Sequence, residues 1–152
     1  MFFDKRIIDK LADELDNSLE LYKMACDLQY GESVKTESHR KYDRYFHHWI
    51  FTMEGPEFYK NIVRIETNIS ESIFSLLISP YLVDIDTNND IYKYKVRRKR
   101  TLEWTQPYIE VCVNHPSEVI DVLMICEKHI VKTKSKDWKD TKKSFHYKII
   151  NI

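Results

Sequence analysis

The sequence predicts a single α+β domain spanning residues 1–152, built on an antiparallel or mixed sheet of four to five strands with about three helices. Three observations lead there: a long helical period at the start, segments of alternating or β-branched character in the middle, and a second helical period after Asn114. The length of 152 residues suits one hydrophobic core and is short for two. With 43% hydrophobic and 32% charged residues, the chain has the material for a core and lacks the composition of a disordered segment.

From Asp4 to Leu28, residues Ile8, Leu11, Leu15, Leu19, Tyr22 and Cys26 recur at steps of three and four, with acidic residues filling the other faces. That is an amphipathic helix ending near Gly31. The polar stretch Glu32 to Lys41 reads as a loop. Tyr42 to Ile69 fits helical steps at first, but its aromatic and β-branched content on either side of Gly55-Pro56 favours a β-hairpin. After Ser70 as N-cap, Ile73, Phe74, Leu77 and Ile78 predict a short helix stopped by Pro80.

A polar loop from Asp84 to Asp90 then leads to a strand in which Tyr92, Tyr94 and Val96 alternate with Lys93, Lys95 and Arg97, giving one aromatic and one basic face. A further strand is expected from Tyr108 to Val113. Asn114 or Ser117 caps a helix through Val119, Ile120, Leu123, Cys126, Glu127 and Ile130. The lysine-rich region Lys132 to Lys143 reads as a solvated connection to a terminal strand, 144–150. There is no internal repeat, glycine-rich phosphate loop or domain linker.

The formal net charge of zero conceals an asymmetry. Residues 1–90 hold 10 basic against 17 acidic side chains, and residues 91–152 hold 14 against 7. The basic half carries the most prominent local signal: Lys93, Lys95, Arg97, Arg98, Lys99 and Arg100, interleaved with Tyr92 and Tyr94 and followed by Trp104. Cations at this density can track phosphates, and rings on the same sheet can stack bases. Lys93, Tyr94, Lys95, Arg97, Arg98, Lys99, Arg100 and Trp104 are therefore the candidate partner- or nucleic-acid-binding residues. The same charges would also protect an ordinary edge strand from aggregation.

The other constellations fall short of a catalytic motif. Arg40 and His47, spaced R-x6-H, are similar to the motif of HEPN ribonucleases, a helical-bundle family, whereas the chain beyond Tyr42 reads as sheet. A pair of H-x-[ST] strands for histidine acid–base chemistry would need a second copy of His115-Pro116-Ser117, which is lacking. Asp84-Ile85-Asp86-Thr87-Asn88 begins like a calcium loop, but Lys95 stands where the final carboxylate belongs. Asp84 or Asp86 with Glu110 resembles part of a PD-(D/E)xK nuclease site without its lysine. Cys26, Cys112 and Cys126 never fall at zinc-ligand spacing and read as buried reduced thiols. No metal or cofactor is expected.

These features predict a non-catalytic macromolecule-binding accessory protein of inhibitor, immunity or counter-defence type, acting by occupying its partner. The alternative is a nucleic-acid-binding module using residues 92–104, and the further alternative a small phosphodiesterase or nuclease working through His47 or His115. Catalysis is not the expectation. With 17 Ile and 17 Lys against 2 Gly and 2 Ala, the usage points to an AT-rich bacterial, phage or viral gene. The start MFFDKRII has no apolar leader, so a cytoplasmic location in a bacterium or infected host cell is expected, without membrane contact. The partner is expected to be a protein rather than a nucleic acid. Two copies can also associate, acidic helix against basic strand, as a salt-sensitive homodimer.

Overall fold

The computed structural model describes residues 4–42, 46–55, 58–67, 72–78, 85, 89–99 and 108–134. The expected terminal strand 144–150, Arg100, Trp104 and most of the 84–88 loop lie outside them. The described residues form an α+β fold in the order α1 (Lys5–Tyr30), β1 (Lys35–Tyr42), β2 (His47–Gly55), β3 (Phe58–Thr67), β4 (Phe74–Ile78), β5 (Lys95–Lys99), β6 (Tyr108–Val113) and α2 (Pro116–Lys134). The strands make one six-stranded sheet of order β1-β2-β3-β4-β6-β5 with every neighbouring pair antiparallel. The expected fold class therefore holds, with six strands and two α-helices where four to five and about three were predicted.

Helix α1 starts on Asp4, whose carboxylate accepts the Arg6 N–H at 2.8 Å. It stops at Gly31, where φ of 58° suits a residue without a Cβ and the N–H returns to the Asp27 carbonyl. Its buried stripe is Ile8, Ala12, Leu15, Leu19, Tyr22 and Cys26. Leu11, expected on that stripe, is partly buried at its margin.

The registers show why one face of the sheet takes the helices. Trp49 lies opposite Ile65, Ile65 opposite Leu76, Leu76 opposite Val111, and Val111 opposite Val96. Trp49, Ile65, Leu76 and Val111 are each 0% exposed. Phe51, Met53, Val63, Phe74, Ile78, Ile109 and Val113 complete this inner face, which shares one core with α1 and with Val119, Val122, Leu123, Cys126 and Ile130 of α2. Tyr22 of α1 stacks on Phe51 of β2 with ring centroids 5.6 Å apart.

Three expectations are corrected. The segment read as a helix after Ser70 is strand β4, and all five of its residues are buried. A strand buried on both faces is a continuous apolar run, and such a run has no period to distinguish it from a buried helix. The stretch read as a loop before Lys41 is strand β1, whose polar residues hid it because it borders the sheet and meets carboxylates of α1 on its inner face. The basic strand begins later than expected: Asn89–Lys93 is a 3₁₀ turn and β5 starts at Lys95, so Tyr92, Lys93 and Tyr94 precede it. The hairpin expected over 42–69 is present as β2 and β3.

Candidate interaction surfaces

Alternation along the β1–β2 hairpin sends neighbouring residues to opposite faces. Arg40, His47 and Trp49 point toward α1, whereas His39, Lys41 and His48 take the outer face. On the inner side, Asp9, Asp13 and Asp16 of α1 meet this hairpin. The Arg40 guanidinium donates to Asp13 at 2.9 Å, lies 3.6 Å from Asp16, and sits over the Trp49 ring at 5.3 Å. Trp49 Nε1 donates to Asp16 at 3.1 Å.

His47 is held at both ring nitrogens. Arg40 Nη2 donates to Nδ1 at 2.9 Å, and because a guanidinium can only donate, the ring proton sits on Nε2 and is given to Asp9 at 2.8 Å. Tyr42 packs against the ring at 4.5 Å, and the His47 N–H donates to Thr67 Oγ1. The structure thus brings Arg40 and His47 together, but on strands and with both nitrogens engaged. This arrangement fastens α1 to the sheet and presents no nitrogen for moving a substrate proton.

The outer face of the same hairpin carries a cleft of about 420 Å³ whose lining includes His39, Lys41, His48, Ile50, Arg64 and Glu66. Register puts Lys41 opposite His48 and His48 opposite Glu66. Glu66 lies 3.7 Å from both His48 and Arg64, so one carboxylate offsets much of the positive character. Chemically the cleft is a mixed-charge, donor-rich hollow.

The sequence-predicted basic site is not a ladder of unengaged cations. Lys93 pairs with Asp121 of α2 at 2.9 Å, and the Tyr94 hydroxyl donates to the same carboxylate. These bonds hold Asp121 below the ordinary carboxylate range, and burial, reinforced by Asp121, raises the Tyr94 phenol. Arg97 donates to the buried Glu110 at 2.6 Å, across the β5–β6 register. Lys95 is exposed on β5, opposite Cys112. Arg98 and Lys99 continue the strand opposite Ile109 and Tyr108.

His115 takes part in the local start of α2: its Nδ1 accepts from the Ser117 N–H at 3.1 Å and from the Ser117 hydroxyl at 2.9 Å. All three cysteines are free and buried. Burial pushes the Cys126 thiol up to about 12, and burial with the neighbouring Glu127 pushes Cys26 up to about 11. Neither is a thiolate near neutral pH. Among the described residues no cluster of three or more His, Cys, Asp or Glu could hold a metal ion. No described helix is long and apolar enough to cross a membrane.

No family model, curated protein or solved structure matches this chain.

Sequence reading missed one surface altogether. Leu21, Met24 and Leu28 of α1 are 67%, 58% and 88% exposed. Their spacing of three and four aligns them along the side of the helix turned away from the core. The signal was present in the sequence, but the stronger stripe from Ile8 to Cys26 accounted for the helix and left these three unassigned.

Proposed function

We propose that this protein acts without catalysis, by binding a macromolecular partner, and that the partner is a protein. The observation that carries this reading is the exposed Leu21–Met24–Leu28 stripe. Contiguous apolar side chains on a helix surface cost solubility unless something covers them, and helices that dock on partners use this i, i+3, i+7 spacing. His47, engaged at both ring nitrogens, supports the same reading.

The nucleic-acid alternative on residues 92–104 is weakened because Lys93, Tyr94 and Arg97 are tied to Asp121 and Glu110. The test is retrieval of the tagged full chain from cells that express it naturally, with and without nuclease. One stoichiometric protein that survives nuclease and is lost with the double variant Leu21→Asp/Leu28→Asp is the expected result. Retention of RNA or DNA that nuclease abolishes would overturn it in favour of the basic strand.

A further inference from the structure

The stripe has a chemical border that narrows what can cover it. On a helical wheel, Glu20 and Asp27 lie seven residues apart along one flank of Leu21, Met24 and Leu28, with the half-buried Lys23 behind them on the core side, so the border is acidic by one net charge. Both carboxylates are exposed, and among the described residues neither is engaged in a side-chain hydrogen bond or ion pair. They differ in this from Asp9, Asp13 and Asp16 nearer the start of the helix, which are committed to Lys5, His47, Arg40 and Trp49.

The helix end adds to this negative field. The last turn of α1 contains no basic residue, and Glu32 follows in the 3₁₀ turn Gly31–Ser33. The partial negative charge of the final carbonyls, of which the Asp27 carbonyl accepts the Gly31 N–H, therefore meets no basic side chain of the helix's last turn next to Leu28, the most exposed of the three apolar side chains. Apolar contact, two unengaged carboxylates and the helix terminus converge on one end of one helix face.

A second copy of the chain fits this surface poorly. Antiparallel pairing about Met24 sets Glu20 of one copy beside Asp27 of the other, whereas parallel pairing turns the two acidic flanks to opposite sides of the seam and sets Glu20 beside Ala25, with no basic counterpart. Like charges oppose the first arrangement, and the second leaves the carboxylates without a complement. The structure assigns this face to a partner of opposite chemistry: an amphipathic helix with an apolar stripe bordered by lysine or arginine. This rests on the binding-protein reading above and specifies its partner.

The probe is a fluorescent synthetic helix of leucine and lysine, with leucines at the i, i+3, i+7 spacing, compared with the same leucine pattern carrying glutamate. Anisotropy on the full chain is expected to show binding of the leucine/lysine helix only, weakening as salt rises. Affinity should fall about tenfold or more in Glu20→Lys/Asp27→Lys and, separately, in Leu28→Asp. Glu54→Lys, which reverses an exposed charge on β2, should leave it unchanged. Thermal melts confirm that each variant is folded.

Equal loss with Glu54→Lys would reduce the effect to general charge attraction and overturn the assignment. So would equal binding of the glutamate helix, or binding of neither. A dimer by light scattering that Leu28→Asp converts to monomer would give the face to a second copy. If the protein captured from cells is lost with Leu28→Asp yet indifferent to Glu20→Lys/Asp27→Lys, the binding role stands and the basic partner does not. If no protein is captured, the role itself fails.

Discussion

The two halves of α1 are fastened to the rest of the molecule by different chemistry. Near its start, Asp9, Asp13 and Asp16 face Arg40, His47 and Trp49, and the three carboxylates are 40%, 73% and 40% exposed. Near its end, Tyr22, Cys26 and Tyr30 converge on Glu127 of α2, which is 7% exposed. Tyr22 donates to Glu127 at 2.7 Å, and Tyr30 donates to its other oxygen. Burial raises both phenols, and the carboxylate adds to it. At the water's edge a helix can be held by opposite charges that remain hydrated. Between two packed helices the carboxylate is satisfied by neutral hydroxyl and thiol donors. Removing one member is expected to cost little in the first setting and much in the second.

Substitutions at the two ends sharpen or break that comparison. Trp49→Ala should have the largest effect, because this 0% exposed ring fills the core and also anchors Asp16 and Arg40. Urea denaturation should show a loss of about 3–5 kcal/mol. A loss below about 1 kcal/mol would mean that the ring does not fill the core as described.

Glu127→Ala comes next. It leaves Tyr22, Tyr30 and Cys26 without their shared acceptor, and about 2–3 kcal/mol is expected. Glu127→Gln, which keeps an acceptor, should cost less, and Tyr22→Phe about 1 kcal/mol. If Arg40→Ala proves as damaging as Glu127→Ala, the contrast between the two ends is wrong.

The smallest effect belongs to Asp9. Hydrogen bonds from His47 and then Lys5 lower its pKa below the ordinary 3.8. The folded state therefore releases this proton more readily than the unfolded chain. The resulting stability is complete above the ordinary value and is lost as pH falls through the depressed one. With the side chain 40% exposed, it should amount to about 0.5 kcal/mol. Melting temperatures of wild type and Asp9→Asn should differ by a constant amount near neutral pH and converge below pH 3.8. A gap that persists at the lowest pH would assign the effect to something other than the Asp9 charge.

Legibility followed the physics of each segment. Helices α1 and α2 were readable because each sets one apolar stripe against polar faces, and the Gly31 stop was readable because a positive φ favours glycine. The β2–β3 hairpin was readable from β-branched alternation around Gly55-Pro56. Strand β4 was not, since burial on both faces erases alternation, and β1 was not, since its inner neighbours are Asp13 and Asp16 rather than apolar groups. The basic run from Lys93 was legible as charge. Its pairing was not, because Asp121 and Glu110 come from α2 and β6.

By itself the sequence determined the α+β class, the amphipathic helices, the burial of the three cysteines and the division into an acidic and a basic half. Those properties depend on local periodicity and composition, which the chain carries wherever it goes. Tertiary structure decided which charges are cancelled and which are left over. It set Lys93 and Arg97 against carboxylates, closed both nitrogens of His47, and left Leu21, Met24, Leu28, Glu20 and Asp27 facing water. Pairing across sequence distance is a property of packing, and so therefore is the surface that remains for a partner.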